Sequence, residues 1–342
     1  MPKVLLTGGS GFIAAHVLDV LLKRGYEVVT TVRSEAKASQ IRAKYPGAKL
    51  TVSIVADIAA PAAFDEVIRS TPGLDYVQHT ASPFHFNFTD PKTEILDPAI
   101  NGTNSVFQAI KDHAPGVKRV VLTSSFAAIL TAADIANPDR VFTEADWNPN
   151  TYEDGLNGPH STTYRVSKTC AEKAGWDFIE REKPGFDLAT ICPPLVFGPV
   201  AHHLASQKDI NTSNQRFVDV IQGKWKTEIP ATGVHLWVDV RDVATAHVEA
   251  MERPEAGGQR FFTTAGFFDN ARVAAAVRAA GFPELADKLP GDDAKLAEGA
   301  TYRPGSTHGY DNSRTTKALG IDWISIEQSA VDTVKSLLPI PA

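Results

Sequence analysis

The stretch Thr7-Gly8-Gly9-Ser10-Gly11-Phe12-Ile13-Ala14-Ala15-His16 follows directly on the apolar run Val4-Leu5-Leu6. From Phe12 to Leu22 apolar residues recur at helical spacing, so the chain opens as strand, glycine turn and helix. By itself a Gly-x-x-Gly-x-x-Ala string is weak, and a plain tight turn explains it. Between a strand and a helix it predicts a dinucleotide site. Gly8 can take the positive φ of the sharp turn, and Gly11 removes a Cβ where backbone must approach a pyrophosphate. Ala14, in place of a third glycine, lets helix and strand pack closely. The N–H groups that open the helix at Phe12 and Ile13 then face the phosphates, with the positive end of the helix dipole behind them.

The alternation continues along the chain. Short apolar runs at 27–32, 50–55, 76–79, 120–122 and 188–191 read as strands, and stretches 12–24, 94–113 and 164–182 read as amphipathic helices. Such βαβ units predict an α/β fold: a Rossmann-type, doubly wound parallel sheet with ligands at the carboxyl ends of its strands. Residues 137–161 form a polar loop rich in Pro, Gly and Asn. After Phe197-Gly198-Pro199 the pattern breaks, and it returns at 237–248. The expected division is a cofactor domain of 1–198 with 229–265, and a smaller, discontinuous substrate lobe of 199–228 with 266–342.

With 342 residues, 43% hydrophobic and 22% charged, the chain can bury a full core. A net charge of −6 argues against nucleic acid or an anionic membrane as partner. Two cysteines, Cys170 and Cys192, are too few for a disulfide framework. No signal peptide and no membrane-spanning run is read, so the expected location is the cytosol.

An NAD site usually carries Asp or Glu at the end of the second strand, to bind the ribose 2′-hydroxyl. Here Arg33 stands there, with Lys37 four residues on. A guanidinium and an ammonium suit a 2′-phosphate, so the expected cofactor is NADPH/NADP+; solvated charges at a helix start are the alternative. Asp57, after the third strand, suits either the adenine amino group or a helix cap.

Tyr164 and Lys168 lie four apart, on one face of a helix. A buried ammonium beside the phenol would favour the phenolate and let Tyr164 act as an acid–base group near neutral pH. The spacing alone is cheap, and Tyr45–Lys49 repeats it, but Pro46 and Gly47 oppose a helix there. Ser124 and Ser125 follow a core strand at the ligand end of the sheet. Alone they read as a strand-end cap; with Tyr164 and Lys168 they read as catalytic. Phe84, Phe86, Phe88, Phe126 and Leu130 could be plain core, but Phe84, Phe86, Phe126 and Leu130, which follow the strands at His79 and Leu122, are expected to line a dry substrate pocket. His202-His203 with Asp209 lack metal-ligand spacing, and no metal is expected. Asp239, Arg241 and Asp242 read as a helix cap and brace.

Together these residues resemble the extended branch of the short-chain dehydrogenase/reductase superfamily. They resemble more closely the fungal NADPH-dependent ketone and aldehyde (methylglyoxal/isovaleraldehyde) reductases and the plant dihydroflavonol reductases. The matching stretches are TVRSEAK, HTASPF, INGT, VVLTSSFAA, YRVSK, PPLVFGP, INTS and WVDVRDVATAH, spread over nearly the whole chain. The resemblance implies that Ser125 orients a carbonyl, Tyr164 protonates the alkoxide, and Lys168 binds the nicotinamide ribose while lowering the tyrosine pKa. It implies that Asn101 supports Lys168 through a water. Cofactor contacts would come from Gly8, Gly11, Phe12, Ile13, Arg33, Lys37, Asp57, Ile58, Thr80, Ala81 and Ser82. Pro193, Leu195 and Val196 would hold the carboxamide side of the nicotinamide, and Ser213 a phosphate or ribose. Two positions depart from the pattern: Cys192 precedes Pro193 where a polar residue is usual, and Phe126 replaces a tyrosine. The expected enzyme is a carbonyl reductase acting on small-molecule aldehydes and ketones, as a monomer or homodimer. The rivals are an NAD-dependent nucleotide-sugar epimerase or dehydratase and a non-catalytic cofactor sensor. Arg33, the absence of an Asp-Glu pair after Thr123, and the presence of Ser125, Tyr164 and Lys168 argue against them.

Overall fold

A computed structural model of the protein describes residues 1–82, 87–291 and 293–342. The first half runs β1 (Lys3–Thr7), α1 (Phe12–Lys23), β2 (Glu27–Val32), α2 (Glu35–Lys44) and β3 (Leu50–Ile54). It continues through α3 (Asp65–Arg69), β4 (Tyr76–His79), α4 (Asp97–His113) and β5 (Arg119–Thr123). Then come β6 (Val141–Phe142), α5 (Tyr152–Asn157), α6 (His160–Glu182), β7 (Asp187–Ile191) and β8 (Leu195–Phe197). Next are α7 (Gln215–Ile221), β9 (Glu228–Ile229), β10 (Leu236–Asp239), α8 (Val240–Glu252) and β11 (Gln259–Phe261). The chain closes with β12 (Gly266–Phe267), α9 (Asn270–Ala279), β13 (Lys295–Leu296), β14 (Gly309–Tyr310), α10 (Ser313–Leu319) and α11 (Ile326–Leu337).

Seven strands form one sheet in the order β11-β7-β5-β4-β1-β2-β3, all parallel. The chain starts in the middle at β1, moves out to β3, and crosses back to β4, which places a topological switch point between β1 and β4. Alternate strand residues serve opposite faces. Val4, Leu6 and Val121 pack with Val17, Leu21 and Val243 of α1 and α8, whereas Leu5, Val77 and Val120 pack with Val106, Phe107 and Phe178 of α4 and α6. Both faces are covered, which explains why the strands read as continuous apolar runs. The predicted helix at 94–113 begins as α4 only at Asp97, after a single π-helical turn over Lys92–Leu96. Pro98, in the first turn of α4, has no N–H to continue a regular ladder backward.

Beyond β7 the chain leaves this sheet. β8 and β10 pair in parallel and β12 joins β10 antiparallel, forming a second, three-stranded sheet. Phe197 and Trp237 on it, with Phe268 just after β12, pack with Phe217 of α7, Val273 of α9 and Val334 of α11 in a separate apolar cluster. Asp239, fully buried, caps α8 through Arg241 N–H at 2.8 Å, and Arg241 reaches Asp332 of α11 at 2.7 Å. These residues brace the helix and its neighbour, as their cap pattern predicts. No helix among the described residues is long and apolar enough to cross a membrane.

Candidate active site

The glycine turn closes on the end of β4. Gly8 has φ +74°, and a Cβ there would lie 3.1 Å from Ala81 Cα. Thr80 and Ala81 each donate a backbone N–H to Thr7 Oγ1 at 3.1 Å. With both lone pairs of that hydroxyl taken, its proton goes to His79 Nδ1 at 2.9 Å, so the His79 proton sits on Nε2. Burial, aided by the charge of Lys168, pushes His79 down to about 3 and keeps it neutral. Gly11 is the N-cap of α1, with no side-chain cap and no acid in the first turn. The opening N–H groups at Phe12 and Ile13 therefore suit a pyrophosphate.

At the end of β2, Arg33 is exposed and Ser34 caps α2 through Lys37 N–H at 3.5 Å. Glu35, the acid between the two cations, is paired with Arg42, which leaves Arg33 and Lys37 available to an anion. Asp57 spends Oδ1 on Ala59 N–H at 2.9 Å, a local turn cap that does not occupy Oδ2. Ile58 packs beside Gly102 of α4.

The Ser125 hydroxyl approaches that of Tyr164 closely enough to lower the phenol's pKa. Ser125 Oγ also accepts Ala127 N–H at 3.1 Å and lies 3.5 Å from Pro193 O. Lys168, one turn along α6, is 8% exposed and has no acid partner among the described residues, so burial lowers it to about 8. The phenol departs from the sequence expectation. Burial raises the pKa of Tyr164 and the Ser125 hydroxyl only partly offsets this, so the group is held as a neutral acid rather than poised as a phenolate. The charge of Lys168 also bears on His79.

Around this core, Pro193 O accepts Phe126 N–H at 2.8 Å. Leu195 and Val196 follow in β8, and Ser213 lies in a short 3-10 turn over Thr212–Asn214 that leads into α7. Phe126 and Leu130, expected at a pocket wall, are 3% and 6% exposed. Phe126 stacks on Phe262 at 4.9 Å and packs with Phe142, so both residues belong to an apolar cluster behind the site. Adjacent β-strands and the lobe close over them, which single-sequence reading does not register. Phe84 and Phe86 lie outside the described residues; Phe88 packs on His160 at 4.1 Å.

A family model of the NAD dependent epimerase/dehydratase family matches residues 4–262. The chain belongs to that family. Within it, the chain is 48% identical to the ketoreductase azaE of Aspergillus niger over 98% of this chain and 97% of that protein. It is 35% identical to the NADPH-dependent methylglyoxal reductase GRE2 of Saccharomyces cerevisiae, over 98% of each. A crystal structure of Gre2 from Candida albicans with NADPH superposes with a TM-score of 0.89 at 37% identity, covering 99% of both chains.

As a family member, the chain keeps the glycine turn, the strand-end serine and the Tyr-x-x-x-Lys helix together at the carboxyl end of the sheet. The repeat at Tyr45 is not joined to them. α2 stops at Lys44, and Tyr45 donates to Asp19 at 2.5 Å. Asn101 is exposed on α4, in a groove with Ala59 and Asn104. His202 packs edge-on to Phe12 and burial lowers it to about 4; no metal cluster exists among the described residues. Two features escaped the sequence. Gly9 is obligatory because a Cβ would fall 2.1 Å from Thr30 Oγ1. Ser124 turns away from Ser125 and donates to buried Glu172 at 2.5 Å. An acid one turn beyond Lys168, on the same face of α6, was the available signal.

Proposed function

We propose that this protein is an NADPH-dependent carbonyl reductase of small aldehydes and ketones, including ketoesters, diketones and aryl ketones. The observation that carries this reading is the approach of the Ser125 hydroxyl to Tyr164, one helical turn from buried, acid-free Lys168. When bound, NADPH supplies the hydride. Its pyrophosphate suits the N–H groups of α1, its 2′-phosphate suits Arg33 and Lys37, and its nicotinamide ribose suits Lys168. Thr80, Ala81 and Ser82, which follow β4, would add cofactor contacts; Pro193, Leu195 and Val196 would hold the carboxamide side of the nicotinamide, and Ser213 a phosphate or ribose.

The Ser125 hydroxyl donates to the substrate carbonyl oxygen and fixes its position. Tyr164, neutral throughout the physiological range, gives its proton to that oxygen as charge develops on it, and the product is an alcohol. The nearby ammonium of Lys168 favours the phenolate that results. The relatives named ketoreductase and methylglyoxal reductase support this chemistry over epimerisation, as does Thr123-Ser124-Ser125-Phe126 with its lack of an Asp-Glu pair. Residues 199–228 and 266–342 form the substrate lobe of this reading, which places a monomer or homodimer in the cytosol. The decisive experiment follows NADPH oxidation across a panel of aldehydes, diketones, ketoesters and aryl ketones, with Tyr164→Phe as control. Turnover of a nucleotide sugar with no activity on any simple carbonyl would overturn the reading.

A further inference from the structure

Behind the serine–tyrosine pair lies a buried ionic cluster with no place in the hydride or proton chemistry. Glu172, on α6, is fully buried. Its Oε2 accepts from Ser124 Oγ at 2.5 Å and Arg260 Nη2 at 3.1 Å. Its Oε1 accepts from Thr190 Oγ1 at 2.8 Å, Arg260 Nε at 2.7 Å and Trp176 Nε1 at 3.2 Å. Arg260, on β11, extends the cluster to the carbonyls of Glu144 and Asp146 at 2.7 and 2.6 Å, and its guanidinium lies 3.6 Å from the Trp147 ring centroid. One carboxylate thus joins four segments: the end of β5, β7, β11 and α6.

The position matters because those segments carry the active residues. Ser124 is the residue before Ser125. Thr190 lies three residues before Pro193, whose carbonyl holds Phe126 N–H. Glu172 follows Lys168 by one helical turn and Tyr164 by two, on the same face. Burying a carboxylate is costly, and removing one partner of such a pair leaves an uncompensated charge. A cluster this fully satisfied, with five N–H and O–H donors and the Cys192 thiol at 3.8 Å on one carboxylate, is held from several sides at once.

We propose that Glu172, with Arg260 and Ser124, is a positioning device that sets the separation of Ser125 from Tyr164 and Lys168. This rests on the carbonyl-reductase reading above. None of the three touches the reacting atoms; they act by holding α6 against the end of β5. A second ion pair, Arg119–Asp187, joins the opposite ends of β5 and β7 and serves as a matched control.

The test compares Ser124→Ala, Ser124→Thr, Glu172→Gln and Asp187→Asn in the whole protein. Each is measured for folded fraction, NADPH affinity by fluorescence titration, and kcat and KM for a ketone that the unmodified protein reduces. Glu172→Gln is expected to lower kcat about 10- to 100-fold and Ser124→Ala about 5- to 10-fold, per folded molecule, since small displacements of reacting groups cost this much. NADPH affinity should stay within about twofold, Ser124→Thr should restore most of kcat, and Asp187→Asn should leave kcat unchanged. Loss of thermal stability with unchanged kcat in both Ser124→Ala and Glu172→Gln would overturn the proposal and leave the cluster purely structural. If Glu172→Gln does not fold, the two Ser124 variants decide alone. Failure of the underlying reading looks different: Tyr164→Phe would then keep full activity.

Discussion

The two ends of the large sheet each carry a buried arginine paired with an acid, and the pairs are built differently. At the amino end, Arg119 meets Asp187 through Nε at 2.5 Å and Nη2 at 2.9 Å and donates to carbonyls at the end of α8. Asp187 keeps 45% of its side chain exposed, and Gly257 leaves room for the pair, since a Cβ there would fall 2.2 Å from Asp187 Oδ2. At the carboxyl end, Glu172 exposes nothing and draws side-chain donors from β5, β7, β11 and its own helix. The amino end closes a strand start against a helix end. The carboxyl end is where parallel strands release their loops, so polar groups there must be both ordered and directed at a ligand. On the positioning proposal above, both pairs serve stability and only the one at the carboxyl end also sets geometry for chemistry.

The largest effect that would break this contrast concerns the acid itself. Tyr164→Phe should lower kcat about 10²- to 10⁴-fold with NADPH affinity retained, whereas Tyr45→Phe should change kcat less than twofold. Steady-state kinetics with fluorescence titration checks both, and equal behaviour would dissolve the distinction between the two tyrosines. Next in size is the cofactor choice. Arg33→Asp should reduce the ratio of kcat/KM for NADPH over NADH by about 10- to 100-fold, the range of a lost charge-assisted contact; an unchanged ratio would move the 2′-phosphate elsewhere.

A smaller effect should appear with pH. Lys168 is lowered to about 8, so its charge is present below that pH and is lost above it. The kcat/KM for NADPH should therefore fall as pH rises through about 8, by no more than tenfold per unit. Lys168→Arg, charged throughout, should remove that limb. The smallest change in activity belongs to the amino end. Asp187→Asn should cost about 1–2 kcal/mol of stability, reduced by the exposure of the aspartate, and leave kcat alone. Denaturant titration and kinetics on the same sample would measure it, and a drop in kcat would show that the two ends are coupled.

Much of the site was legible because its signals are local. The turn at Gly8 and Gly11, the cations after β2, and the spacing of Tyr164 and Lys168 each lie within a few residues, where backbone periodicity fixes which groups share a face or a strand end. The Tyr45 repeat was rejected on equally local grounds, and α2 does end before it.

What chain order could not decide is what packs against what. Whether Phe126 and Leu130 face a cavity or a core depended on Phe142, and on Phe262 far along the chain, packing against them. The choice between Ser124 and Ser125 depended on Glu172 taking one hydroxyl, and the protonation of Tyr164 on how deeply α6 is buried. The sequence by itself determined the strand order's beginning, the glycine turn at the helix start and the shared helix face of Tyr164 and Lys168, because short-range sterics and spacing specify them. Tertiary structure alone decided burial, and with it the direction of each pKa shift and the partners of each buried charge, because desolvation is a property of everything that surrounds a group and not of its neighbours in sequence.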